Sequence, residues 1–99
     1  MAIASHRGSG NIFEDVGFPP EEAAHLLIRA DLMLEIRTII EERGLTQKQA
    51  AEVLGVTQPR ISDLMRKKID RFGIDTLVEM LSRLGVTVTL RMRRTAKIA

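Results

Sequence analysis

The sequence contains no cysteine, tryptophan or tyrosine, and only three phenylalanines among its 99 residues. Without cysteine there is no disulfide, no thiolate metal ligand and no thiol nucleophile, which fits a reducing cytoplasm. With so few aromatic rings, the core is expected to be mainly aliphatic. No stretch approaches the ~20 apolar residues of a membrane span, and the first residues lack the apolar core of a signal peptide. We therefore expect a cytoplasmic protein that does not enter a membrane.

Residues suited to catalysis are also scarce. The two histidines, His6 and His25, do not lie at metal-ligand spacing or at nucleophile–base spacing from suitable partners. No glycine-rich phosphate loop follows a strand. The pairs Glu21-Glu22 and Glu41-Glu42 are better explained by a helix start and a solvated helix face than by acid–base catalysis. The sequence predicts no enzymatic activity, no metal and no cofactor.

The charge of the chain is unevenly distributed. Residues 1–43 carry four basic and eight acidic side chains, net −4, whereas residues 44–99 carry eleven basic and five acidic ones, net +6. A basic half suggests a surface for a polyanion, and the alternative is an unevenly charged, solvated surface. The length suits one domain with short arms. The core of so small a domain is only marginally stable, and such domains are often stabilised by oligomerisation.

The chain divides into three parts. Residues 1–18 are predicted to be an N-terminal arm, flexible over 1–11 and apolar enough over 12–18 to pack against the body or a partner. Residues 19–85 show helical periodicity between cap signals. The first helix begins at Pro19-Pro20 and ends before Gly44, and its length allows a break near Ala30-Asp31. The predicted helices cover about 20–43, 47–54, 58–67 and 74–84.

Residues 86–99 change period. Val86 to Arg93 alternates apolar and polar side chains, which is typical of a strand with one buried face, and a basic tail follows. A lone strand leaves its backbone unpaired. We expect it to pair with the same strand of a second copy, antiparallel across a two-fold axis, and the alternative is a strand near the N-terminus of the same chain. The predicted dimerisation residues are Val86, Val88, Leu90 and Met92.

The two short helices between 47 and 67 are separated by a three-residue turn, Gly55-Val56-Thr57. Thr46 and Gln49 form a capping-box pattern, and Thr57 is the expected N-cap of the second helix. Ala51 is small enough for a close helix crossing, and Gly55 permits the positive φ of a tight turn. The apolar residues spaced to be buried beneath both helices are Val53, Leu54, Val56, Ile61 and Leu64.

The stretch LTQKQAAEVLGVTQPRIS, from Leu45 to Ser62, resembles the helix-turn-helix of the Xre family of lambda-repressor-like and Cro-like regulators. The resemblance implies an all-α, lambda-repressor-like bundle of four to five helices, here with one C-terminal strand. The DNA-binding domain then spans 19–85, with the motif at 46–67. It also implies a dimeric repressor of transcription, associated with the nucleoid, that binds a palindromic operator on double-stranded DNA.

In this family the second helix of the motif enters the major groove. Gln58 suits adenine, Arg60 a guanine or a phosphate, and Asp63 the amino group of cytosine, whereas Pro59 offers only apolar contact. Asp63 has an alternative role as an ion-pair partner of Arg66 or Lys67. The implied base-contacting residues are Gln58, Pro59, Arg60, Ser62 and Asp63. The implied DNA-backbone residues are Gln47, Lys48, Thr57, Arg66, Lys67 and Lys68.

The whole chain is also similar to the small Xre proteins grouped with HigA-type antitoxins. The resemblance rests on the segment from Asn11 to Phe18, the long acidic helix, the motif and the C-terminal strand. It implies a basic ribonuclease toxin as a further partner, for which the acidic N-terminal half offers a docking surface. The alternative is that Phe13 and Phe18 complete the core. A second function therefore remains open, that of a protein-interaction module that neutralises a toxin and binds little DNA alone.

Overall fold

A computed structural model describes residues 11–94 of the chain, and this part is mainly helical, as expected. It contains five α-helices and one 3-10 turn, and no strand is present between residues 11 and 94. None of these helices is long and apolar enough to cross a membrane. The elements are α1 (Ile12–Asp15), α2 (Pro20–Glu42), α3 (Gln47–Leu54), α4 (Gln58–Met65), the 3-10 turn (Ile69–Arg71) and α5 (Ile74–Arg83).

Helix α2 is the longest element and runs without the break that its length allowed near residue 30. It begins with proline at its first position and two glutamates in its first turn, which suits the positive end of the helix dipole. It ends where Gly44 takes a φ of 63°. There, Gly44 N–H donates to the carbonyl of Glu41 and Leu45 N–H donates to that of Ile40, the bonds of a Schellman motif.

The core lies where α2 crosses the motif and α5. One face of α2 contributes Leu32, Met33, Ile36, Ile39 and Ile40 to it. Among residues 11–94 no polar or charged side chain is buried, so the core is held together by apolar contact. Its largest fully buried side chains are Phe72, Ile36, Leu54, Ile61, Leu64, Leu77, Met80 and Leu81.

The described part of the predicted N-terminal arm contains a short helix. The side chain of Asn11 caps α1 by accepting from Phe13 N–H, and its amide donates to the carbonyl of Ala23 at 2.8 Å. The rings of Phe13 and Phe18 meet edge to face, with centroids 6.1 Å apart. This segment therefore lies along the start of α2. The predicted flexible stretch 1–11 falls almost wholly outside the described residues.

The predicted C-terminal strand is not formed within the chain, so that expectation is corrected. Residues 86–94 are irregular, and in the range 11–94 no strand from the N-terminal side pairs with them. A strand is defined by its hydrogen-bonded ladder, and a single copy offers this segment no partner. Val86 and Val88 pack against the core, but Leu90 is 81% exposed and Met92 88% exposed. The tail beyond Arg94 lies outside the described residues.

Candidate nucleic-acid interface

The start of α3 is fixed by the capping box that the sequence predicted. Thr46 Oγ1 accepts from Gln49 N–H at 3.1 Å, and Gln49 Oε1 accepts from Thr46 N–H at 2.9 Å. These bonds satisfy two of the backbone donors that a helix leaves free at its start. Gln47 and Lys48 follow the cap and are exposed. The N-terminus of α3 is therefore capped within the chain and accessible to an anion.

The turn between α3 and α4 also follows the predicted chemistry. Gly55 takes the left-handed conformation (φ 69°, ψ 33°), and Val56 N–H donates to the carbonyl of Ala51 at 3.0 Å. Ala51 is 8% exposed, as expected for a small residue between two closely packed helices. Leu54, Ile61 and Leu64 are buried and Val56 is half-buried, whereas Val53 is 39% exposed. The burial predicted for Val53 is wrong, because its position on α3 turns away from the core.

The N-terminal part of α4 presents three of the five predicted base-contacting residues without competing contacts. Gln58 and Pro59 are exposed and Ser62 is half-buried, one turn further along the same face. Thr57 is the N-cap, as predicted, but its hydroxyl makes no capping bond. Pro59 lies at the second helical position and has no N–H to donate to that hydroxyl, and the N–H of Arg60 at the third position donates to the Thr57 carbonyl instead. The Thr57 side chain therefore remains free to contact another molecule.

Arg60, a fourth predicted base contact, is engaged within the protein. Its guanidinium lies 4.3 Å from the ring centroid of Phe72, and its Nη1 donates to the carbonyl oxygen of Arg71 at 2.9 Å. Stacking on an aromatic face suits a planar guanidinium. Arg60 therefore joins α4 to the 3-10 turn.

Asp63, the fifth predicted base contact, is paired with cations. Its Oδ1 lies 3.8 Å from Lys68 Nζ, and its Oδ2 lies 3.4 Å from Arg71 Nη1. The sequence predicted ion pairing as the alternative role of Asp63, but with Arg66 or Lys67. The partners differ because the chain reverses after α4 and the 3-10 turn carries later residues back towards the helix. Sequence spacing gave no signal for Arg71.

Helix α4 ends two residues earlier than predicted, so the predicted basic cluster follows the helix directly. The helix ends at Met65, Arg66 is its C-cap, and Lys67 has a φ of 64°. Lys67 N–H donates to the carbonyl of Leu64, and Lys68 N–H donates to that of Asp63, so the helix ends in another Schellman motif. Arg66 and Lys67 are exposed and Lys68 is half-buried. Three cations thus surround the carboxyl end of α4.

Together these features define the class of the fold, a helix-turn-helix on a long supporting helix. A family described as a helix-turn-helix domain matches residues 12–93. An uncharacterized HTH-type transcriptional regulator from Haemophilus influenzae is 31% identical over 80 residues, which cover 81% of each chain. A solved structure, a "Putative XRE Family Transcriptional Regulator", superposes with a TM-score of 0.68 at 26% identity, covering 79% of this chain and 90% of that one.

The protein therefore belongs to the helix-turn-helix domain family, and its predicted resemblance to Xre-type regulators is confirmed. The match begins at α1 and continues past α5. It thus includes residues 12–18 of the N-terminal arm and residues 86–93 of the irregular C-terminal segment, in addition to the motif. Within residues 11–94, no group of three histidine, aspartate or glutamate side chains is placed to hold a metal ion.

Proposed function

We propose that the protein is a sequence-specific DNA-binding regulator of transcription that inserts α4 into the major groove. The observation that carries this proposal is the outward side of α4, where Gln58 and Pro59 are exposed, Ser62 is half-buried, and none of these side chains makes a hydrogen bond or ion pair within residues 11–94. The turn at Gly55 and the buried contacts beneath both helices hold this face at a fixed angle to α3. A rigid helix with exposed polar residues at its N-terminal end is the usual reader of base edges.

The charges around α4 support the same proposal. Arg66 and Lys67 lie exposed at one end of the helix, and Lys48 lies at the start of α3. Cations at these positions suit phosphates on either side of the groove, whereas Gln58 suits adenine through two hydrogen bonds. The free Thr57 hydroxyl and Gln47 at the N-terminus of α3 are further candidates for phosphate contact. We therefore keep all the residues that the sequence suggested as contacts to the DNA backbone.

We predict that replacing Gln58 with alanine weakens binding to the specific site by ~1–3 kcal/mol, because two base contacts are lost. Replacing Lys67 with alanine should weaken binding to every sequence and reduce the slope of log affinity against log salt by about 1. Sequences selected from a random DNA pool by wild type and by each variant, at fixed salt, measure both effects.

The paired variants are each other's control. A two-fold symmetric motif that disappears with Gln58→Ala and persists with Lys67→Ala would support groove recognition by α4. If both variants lose affinity equally for every DNA sequence, the assignment of Gln58 as a base contact is contradicted. If the folded wild type enriches no sequence, DNA recognition by the isolated protein is refuted and the protein-interaction alternative is favoured.

We propose that the protein binds DNA as a homodimer through residues 86–92, so that two α4 helices contact a palindromic operator. Val86 and Val88 pack against their own core, but Leu90 and Met92, which continue the same alternation, are almost fully exposed. Pairing with a second copy would cover these side chains and satisfy the backbone of the segment. A dimer of this kind places its reading helices about one DNA turn, ~34 Å, apart. Occupancy of an operator that overlaps a promoter would repress transcription.

Replacing Leu90 with aspartate is expected to raise the dimer dissociation constant by roughly tenfold or more. The change removes ~1.5–3 kcal/mol of apolar burial and places a charge at the interface. Sedimentation over a range of concentrations measures the constant. The matched control is Thr89→Asp, which adds the same charge at the neighbouring position on the opposite face. A monomeric wild type would contradict this interface, as would an equal rise of the dimer dissociation constant in both variants.

A toxin-binding role is the second candidate, and one observation favours it. The N-terminal segment exposes Ile12 (61%), Val16 (68%) and Phe18 (40%) beside Glu14 and Asp15. An apolar patch among carboxylates suits a basic protein partner. The structure places part of Phe18 at the surface, which weakens the alternative that it only completes the core. A short, basic, ribonuclease-like gene next to this one, whose product is inhibited by this protein, would support an HigA-type antitoxin. A basic product that this protein leaves active would contradict that role.

A further inference from the structure

The side of α4 that faces the 3-10 turn carries a network of charges that base recognition does not require. Asp63 is its centre, with a side chain that is only 19% exposed. Each carboxylate oxygen has its own cation, Lys68 at 3.8 Å and Arg71 at 3.4 Å, and these cations remain 37% and 54% exposed. The acid is thus largely covered, whereas its two partners still reach solvent.

The backbone of the same turn is held by Arg60. Its guanidinium donates to the carbonyl oxygen of Arg71 and stacks on Phe72, which is 1% exposed and belongs to the core. Arg60 and Asp63 are three residues apart, so they lie on the same side of α4. Helix α4 therefore holds Arg71 twice, at its main chain through Arg60 and at its side chain through Asp63.

We propose that Asp63 is a positioning residue rather than a base contact, and that it orients Arg71 and Lys68 to bind a phosphate of the DNA backbone. This inference rests on the proposed DNA-binding function. It adds Arg71, which sequence spacing did not single out, to the DNA-contacting residues. It also gives Asp63 a different role from the cytosine contact that the family resemblance implied.

Three physical arguments support the proposal. An arginine fork can donate to a carboxylate and to a phosphate at once, since it has five N–H groups. Long cationic side chains lose rotamer freedom when they bind, and a side chain that is already oriented loses less. An unpaired carboxylate next to DNA would repel the backbone, whereas Asp63 is flanked by two cations. To accept from cytosine, Asp63 would have to weaken the pairs that neutralise it.

The test measures affinity against salt concentration for wild type, Arg71→Ala, Asp63→Asn and the double variant. Two duplexes serve as probes: one selected by wild type from a random pool, and one of the same composition with the sequence scrambled. Arg71→Ala should reduce the slope of log affinity against log salt by about 1 on both duplexes. Asp63→Asn should leave the preferred sequence unchanged. The effect of Arg71→Ala should be at least ~2-fold smaller in the Asp63→Asn background, since the two residues act together.

Asp70→Asn is the matched control for charge. Asp70 lies in the same 3-10 turn and makes no ion pair with any residue of 11–94, so this variant changes the net charge as Asp63→Asn does without releasing Arg71. We expect Asp70→Asn to tighten binding to both duplexes, and Asp63→Asn to bind both more weakly than Asp70→Asn. Circular dichroism verifies that every variant is folded. If Arg71→Ala unfolds, it is replaced by Arg71→Lys, which keeps the charge but loses the planar guanidinium. We then expect Arg71→Lys to bind both duplexes more weakly than wild type.

Two results would overturn the inference while leaving the proposed function intact. One is a changed base preference at one operator position in Asp63→Asn, with an effect additive to that of Arg71→Ala, which would make Asp63 a base contact. The other is an unchanged salt slope in Arg71→Ala or, where Arg71→Lys replaces it, unchanged affinity for both duplexes. Failure of the folded wild type to bind either duplex would overturn the proposed function together with the inference.

Discussion

Replacing Phe72 with alanine is expected to destabilise the protein by about 3–5 kcal/mol, because it removes a fully buried ring from a small core. Phe72 is 1% exposed and follows the 3-10 turn directly. A domain of this size is stabilised by only ~5–15 kcal/mol in total, so the loss is a large share of the free energy of unfolding. Urea denaturation followed by circular dichroism measures it. The same change removes the ring on which Arg60 stacks, so the 3-10 turn should also lose its fixed position.

Phe18→Ala is the matched control, since it makes the same chemical change at a ring that is 40% exposed. We expect it to cost roughly 1 kcal/mol, because less apolar surface returns to water. Phe72→Leu, which preserves most of the volume, should cost less than ~1.5 kcal/mol while still removing the partner of Arg60. Equal losses for Phe72→Ala and Phe18→Ala would show that Phe72 does not hold the core as the structure indicates.

Replacing Gly55 with valine is expected to cost about 3 kcal/mol. A β-branched residue is strained at a φ of 69°, which accounts for up to ~2 kcal/mol. The rest comes from contact, because a Cβ at this position would lie 3.0 Å from Cζ and Nη1 of Arg83. That guanidinium is the end of a flexible side chain and can move, so we assign the contact only ~1 kcal/mol. Thermal unfolding and DNA affinity should both respond, since Gly55 sets the angle between α3 and α4.

Gly44→Val is the matched control for backbone strain. Gly44 has a similar φ of 63°, but a Cβ there would meet no heavy atom within 4 Å. We expect it to lower the free energy of unfolding by up to ~2 kcal/mol, from strain alone. DNA binding should fall only as far as the fraction of folded protein falls. If the two glycine variants are equally destabilised, Arg83 does not constrain the turn. If Gly55→Val is tolerated without loss, the left-handed turn is not required for this packing.

The starts of the two motif helices and the turn between them were predicted from local chemistry, and the structure confirms them. The range of α3, the Thr46–Gln49 capping box and the left-handed Gly55 all agree with the sequence. Each of these features depends on residues within one or two turns of each other, so the sequence holds all the information that is needed. The single long α2 follows from the same rules, with proline at its start and glycine after its end.

The states of the predicted base-contacting residues could not be obtained in this way. No hydrogen bond or ion pair within residues 11–94 holds the side chains of Gln58, Pro59 and Ser62. By contrast, Arg60 and Asp63 contact residues of the 3-10 turn and Phe72, which lie eight to twelve residues further along the chain. Their spacing on α4 is equally compatible with contact to DNA and contact to the protein. Which one occurs depends on the path of residues 66–72, and that path is set by a left-handed Lys67 and the burial of Phe72.

The C-terminal segment is a second case in which the sequence pattern alone does not decide the structure. Its alternation was visible in the sequence, but a ladder needs a neighbour, and residues 11–94 of one copy supply none. The sequence by itself determined the four longer helices, most of their caps and the helix-turn-helix, because these depend on local backbone chemistry and on period, whereas α1 and the end of α4 were not predicted. The tertiary structure decided which charged side chains are free and which apolar ones remain uncovered, because those outcomes depend on packing between segments that are distant in the chain.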